Sequence, residues 1–185
     1  MIHKISQHFK LLIFMSLTLV AVHAYNVYTN GQLVYLGIGP RNVNTLWHIY
    51  TAPFIHGSWG HLINNLIGLL IFSTLCLMRS TKFFIYASFF IITLGGFLTW
   101  SLGRATLHVG ASGWVFGLWS LIILMGWFDR RFGSIAIAIL VLIFYGGMIF
   151  GVLPTDKRIS YESHLFGAIA GALFAYLFGK KSWAR

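Results

Sequence analysis

Charged side chains are so sparse in this sequence that they act as punctuation. Uncharged stretches run over residues 11–40, 42–78, 83–103, 105–128, 132–155 and 163–179. A helix crossing the hydrocarbon core needs roughly 20 apolar residues, within a range of about 17–25. Each stretch holds such a run. Lipid offers no hydrogen bonds to an open backbone, so a spanning chain is helical or a closed barrel. Leu66–Leu77 and Ile135–Phe144 lack the alternation of a barrel strand. The spacing predicts an all-α polytopic membrane protein with six spanning helices, near 9–25, 59–78, 83–102, 112–128, 133–153 and 163–179. No internal repeat or low-complexity tract divides the chain, which reads as a single membrane domain over 1–185.

Composition closes the main alternatives. Charged types make up 9% of the chain, against about 25% in soluble domains, too few to cover a water-facing surface. The net charge of +10 is scattered at the ends of apolar runs and forms no patch for nucleic acid. The lone Cys76 excludes an intrachain disulfide and a multi-cysteine metal site.

With the N-terminus inside, the inner segments hold nine basic residues: Lys4, Lys10, Arg79, Lys82, Arg130, Arg131, Lys180, Lys181 and Arg185. The outer segments hold four: Arg41, Arg104, Lys157 and Arg158. The excess predicts both termini in the cytoplasm. Lys4 and Lys10, an apolar run and Val22-His23-Ala24 also resemble a cleaved signal peptide, which would leave the other five helices unchanged. Between the first two helices, Asn26 to Ser58 reads as a structured outer loop. Its Trp47, Tyr50 and Phe54, with Trp59 beyond, suit the membrane interface.

Polar groups in spanning helices are costly and mark function. Three sets stand out: His56, His61, Asn64 and Asn65; Gly110-Ala111-Ser112-Gly113; and Ser163-His164 with Gly167 and Gly171. The second, fourth and sixth helices all begin at the outer face, so His61, Ser112 and His164 lie at one depth. His61 and Asn65, at i and i+4, share a face. Gly167 and Gly171 share the face of His164, and Gly113 and Gly117 form a similar pair. Close packing of these two helices brings Ser112 near His164, the minimal pairing of nucleophile and base. The fourth helix, about 26 Å long from Ser112 to Phe128, is short for a core about 30 Å thick. Residues 103–111 must therefore dip into a protein-lined or watery cavity. The start of that helix offers free N–H groups and a positive dipole end to a developing oxyanion.

Taken singly, each group has a plain structural use. Ser112 can cap a helix, and the histidines and asparagines can bond between helices. Bis-histidine haem ligation is a weaker rival, because glycine-packed helices leave little room for a porphyrin. Metal-assisted hydrolysis fits less well: there is no H-E-x-x-H, and Asp129 lies at the opposite end of its helix. Glu162, two residues before His164, does not face it, so no Ser-His-Asp triad is read. His3, His8, His23 and His108 receive no role.

His56-x-x-x-x-His61-x-x-x-Asn65, Gly110-Ala111-Ser112-Gly113 and His164-x-x-Gly167-x-x-x-Gly171 together resemble the motifs of the rhomboid intramembrane serine proteases. The likeness covers about residues 40–179. It implies a six-helix rhomboid-like bundle without cofactor or metal. In it Ser112 is the nucleophile and His164 the general base. The Ser112 N–H, His61 and Asn65 hold the oxyanion, and His56 is a supporting group beside the cavity. Residues 154–163 cap the site. The partners it implies are the lipid bilayer and transmembrane protein substrates, cut in or near their spanning segment. A multi-pass protein of a prokaryotic inner membrane is the expected location. Two positions depart from the family pattern. Phe116 stands where tyrosine is common, and Trp47-His48 stands where Trp-Arg is. A non-catalytic member that binds transmembrane helices is the alternative.

Overall fold

The computed structural model describes residues 2–154 and 159–179. It contains six α-helices: α1 (Ile2–Tyr28), α2 (Trp59–Leu77), α3 (Thr81–Leu102), α4 (Ser112–Asp129), α5 (Phe132–Tyr145) and α6 (Tyr161–Phe178). Short 3-10 helices over Gln32–Leu36, Val43–Tyr50 and Ala52–Phe54 lie between α1 and α2, and Gly146–Val152 forms another after α5. Among the described residues there is no strand, only an isolated bridge between Ile38 and His108. Asp156 and part of the charge count behind the expected orientation (Lys157, Arg158, Lys180, Lys181 and Arg185) lie outside the described residues.

The helices fall where the apolar runs predict them, with two differences. α1 extends further at both ends. The helix expected over 133–153 divides: α5 stops at Tyr145 and tightens into 3-10 turns, where Gly146 and Gly147 weaken helix propensity. Among the described residues, five helical spans are long and apolar enough to cross a membrane, that of α5 counted with its 3-10 extension. α6 has 18 residues and opens on the polar run Glu162-Ser163-His164. The chain is an integral membrane protein, and the serines before α2 and α3 start those helices. Ser58 Oγ accepts the His61 N–H at 3.2 Å, and Ser80 Oγ accepts the Phe83 N–H at 3.0 Å.

α4 is apolar all round and forms the axis of the bundle, with 12 of its 18 residues buried. α2, α3, α5 and α6 pack around it, and α6 also packs on α3. Between apolar helices in lipid, close approach and hydrogen bonds supply the attraction. A β-carbon on Gly167 would overlap the Gly113 carbonyl, and one on Gly171 the Gly117 carbonyl. The two glycine pairs therefore face each other, as their spacing predicts. The Ser120 hydroxyl donates to the Ala168 carbonyl at 2.7 Å, and Trp114 Nε1–H donates to Ser88 Oγ at 3.0 Å. At the far end of α4, Asp129 pairs with Arg79 and with Arg131. α5 buries only Ala138 and Val141 and is otherwise turned outward.

The segment before α2 is pinned to the bundle. His48 Nδ1–H donates to the Gly37 carbonyl at 2.8 Å. Arg41 donates to the Ser101 and Gly103 carbonyls at the end of α3. Ile38 and His108 exchange two backbone bonds of 2.9 Å, tying this segment to the loop before α4. Trp47, Tyr50 and Trp59 are exposed, as interface residues should be.

Candidate active site

The starts of α2, α4 and α6 converge on a cavity of about 720 Å³. His61, Asn64, Asn65, Ser112, Phe116 and His164 all line it. The groups that the sequence reading set at one level thus share one cavity.

Ser112 is the first residue of α4, and Ala111 is the capping position, without a side-chain bond. The serine hydroxyl therefore does not serve as the cap. The chain reaches Ser112 through Gly110, whose φ is +111°, a region open to glycine. A β-carbon on Gly110 would lie 2.6 Å from His61 Nε2 and 3.2 Å from Asn65 Nδ2. These two α2 side chains thus press against the backbone just before Ser112. Asn65 Nδ2 is buried without a hydrogen-bond partner. The first N–H groups of α4 have no partner within the helix. Unpaired donors thus gather on one side of Ser112, able to receive a negative oxygen.

His164 is held from two sides. Its Nδ1–H donates to the Gly151 carbonyl at 2.9 Å, which leaves the lone pair on Nε2. Its ring stacks on Phe116, with centroids 4.1 Å apart and planes 8° from parallel. The phenyl ring therefore keeps the stacking role without the tyrosine hydroxyl. A β-carbon on Gly151 would meet Phe116 Cζ at 2.6 Å, so this position must stay small. No hydrogen bond joins the Ser112 hydroxyl to His164; the two groups share the cavity without direct contact of that kind. Such a pair is often looser before substrate binds.

His56 is fully buried and does not line the cavity itself. Its Nε2 accepts the Ala111 N–H at 3.4 Å, so it supports the backbone before Ser112. Burial first, then the nearby His61 ring, pushes its pKa down to about 4, against a smaller opposing effect of the Phe54 carbonyl. The ring is neutral at pH 7, as an acceptor nitrogen requires.

Several residues without an expected role belong to this frame. His108 is buried, contacts Ser160 Oγ through Nδ1 and the Arg104 carbonyl through Nε2, and has its pKa lowered by burial. Arg104 pairs with the buried Glu162 at 3.0 Å. His23 and Asn26 of α1 reach the His56 carbonyl. Polar residues inside an apolar run were the available signal for His23 and Asn26; Gly151 carried none. Among the described residues no group of three or more His, Cys, Asp or Glu side chains is gathered as for a metal ion.

The Rhomboid domain family model matches residues 43–181. An uncharacterized protein of Mycobacterium tuberculosis is 37% identical over 150 residues, covering 76% of this chain and 62% of the relative. One from Mycobacterium leprae is 36% identical over 176 residues, covering 90% and 69%. Rhomboid-like protein 11, chloroplastic, of Arabidopsis thaliana is 30% identical over 155 residues, covering 76% and 55%. The chain thus spans about 62% of the length of the M. tuberculosis relative. With the domain matched over most of its length and relatives above 30% identity, the chain belongs to the rhomboid family.

Proposed function

We propose that this protein is an intramembrane serine endopeptidase that cuts transmembrane proteins in or near their spanning segment. The observation that carries this reading is the state of His164. Its Nδ1–H is committed to Gly151 and its ring lies flat on Phe116, so its basic Nε2 is the nitrogen left for the cavity it shares with Ser112.

In this mechanism Ser112 Oγ attacks the carbonyl carbon of the scissile peptide while His164 Nε2 takes its proton. The oxyanion is held by the Ser112 N–H, Asn65 Nδ2 and the His61 ring. His164 then gives the proton to the leaving amine as the C–N bond breaks, leaving an ester on Ser112. Water entering from the outer side, with His164 again as base, releases the acid product. Both termini lie in the cytoplasm in this reading.

The uncommitted Ser112 hydroxyl favours one rival, a family member that binds transmembrane helices without cutting them. A fluorophosphonate probe separates the two. Labelling of the wild type that is lost in Ser112→Ala and in His164→Ala supports the protease. Equal cleavage of a reporter membrane substrate by Ser112→Ala and wild type would overturn it.

A further inference from the structure

α1 packs on α2 and on the 3-10 helices that precede α2, at one side of the bundle. Yet near its end it buries two polar side chains, His23 at 1% and Asn26 at 4% exposure. Both reach the same atom. His23 Nδ1–H donates to the His56 carbonyl at 3.1 Å, and Asn26 Nδ2–H donates to it at 3.2 Å. Asn26 Oδ1 also accepts the Leu33 N–H at 2.9 Å, and the His23 ring stands edge-on to Trp59, with centroids 4.6 Å apart. The clasp is therefore braced from the loop and from the first turn of α2.

The polar chain continues past His56. Its Nε2 accepts the Ala111 N–H, and its ring lies 5.0 Å from that of His61. A leucine at position 23 would fill the same space without desolvating an imidazole. His23 Nε2 is buried and has no partner, so the Nδ1–H bond is what the imidazole adds. Polar groups kept at such a cost within a spanning segment point to a role in function.

We propose that His23 and Asn26 are positioning residues. By fixing the His56 carbonyl they hold the His56 ring, and through it the Gly110-Ala111 peptide, one residue ahead of the peptide that carries the oxyanion-binding Ser112 N–H. This deepens the protease reading and rests on it. It makes α1, far from the chemistry in sequence, part of the alignment of the site.

The test uses the full chain in detergent micelles with His23→Leu, Asn26→Leu and the donor-preserving His23→Asn. A displacement of about 1 Å costs up to 10²-fold in rate. The leucine variants should lose about 10-fold or more in kcat on a reporter substrate, with KM changed less than about 2-fold, and should label more slowly with fluorophosphonate. His23→Asn should recover most of that loss. Hydrogen exchange at the Ala111 amide should quicken in the leucine variants while amides in the middle of α4 stay protected. That readout needs no activity: if wild type neither cleaves nor labels, the protease reading fails, and exchange alone decides the clasp. Unchanged Ala111 exchange in both leucine variants, or His23→Asn as slow as His23→Leu, would overturn the proposal. If Asn26→Leu does not fold, the two His23 variants decide it.

Discussion

Replacing Gly167 by alanine puts one methyl group at the closest approach of α4 and α6. Its carbon would overlap the Gly113 carbonyl oxygen and also meet the Gly113 Cα at 3.0 Å. Both are backbone atoms, so no side chain can turn aside. Restoring van der Waals contact requires the helices to separate by roughly 1 Å. Overpacking of this kind costs about 1–3 kcal/mol of stability. The effect on rate should be larger. Gly113 follows Ser112, and Gly167 lies one turn after His164, so the separation falls between nucleophile and base. A misplacement of about 1 Å costs about 10²-fold in rate. Gly133→Ala is the control, since a β-carbon there meets nothing within 4 Å. The assay pairs cleavage of a reporter membrane substrate with thermal unfolding in the same detergent. Gly167→Ala should lose about 10²-fold in kcat while remaining folded, and Gly133→Ala should match wild type. Wild-type activity in Gly167→Ala would refute the claim that this glycine contact sets the distance between Ser112 and His164.

Asn65→Ala removes one proposed oxyanion donor and should cost about 3 kcal/mol, or about 10² to 10³-fold in kcat, with KM little changed; a loss equal to that of Ser112→Ala would count against the donor role. Phe116→Leu keeps an apolar group but removes the flat support under His164, so kcat should fall by about 10-fold, the loss expected for a shifted base, while Phe116→Tyr should retain activity. Lowering the pH should weaken the fold through His56. Its pKa is lowered to about 4 from 6.5, so between these values the unfolded chain binds a proton that the folded chain does not. Stability is therefore full above about pH 6.5, falls as pH drops toward 4, and loses about 3 kcal/mol in all. His108, also lowered by burial, acts in the same direction. Unfolding midpoints at pH 7 and 4.5 should differ less in His56→Gln than in wild type, and an unchanged difference would remove His56 from the account.

What was legible in the sequence follows from what carries a periodicity or a residue type of its own. The spans were legible because lipid excludes charge from a run of about 20 residues. The glycine face between α4 and α6 was legible because the i, i+3, i+7 spacing puts His164, Gly167 and Gly171 on one side of a helix. The gathering of the starts of α2, α4 and α6 on one cavity was legible from the helix count together with the charge bias. The tightening at Gly146 was missed because an apolar run marks a span and not its helical type. What could not be read were the partners that orient the histidines. His23 turns to the carbonyl of residue 56, His48 to that of 37 and His164 to that of 151. A carbonyl is supplied by any residue, so a bond to one leaves no mark on residue identity. These acceptors lie outside the α-helices, in loops and short 3-10 turns, where the i to i+4 ladder does not already claim the carbonyl. The same physics explains why imidazoles gather there. A buried carbonyl in a membrane protein needs a donor, and in this chain side chains supply it at the edge of the bundle. The irregular backbone around the cavity and the buried histidines are thus linked: carbonyls left outside the α-helices take donors from imidazoles. That the His56 carbonyl takes two donors while its ring takes the Ala111 N–H makes residue 56 the point where this loop chemistry meets the start of α4.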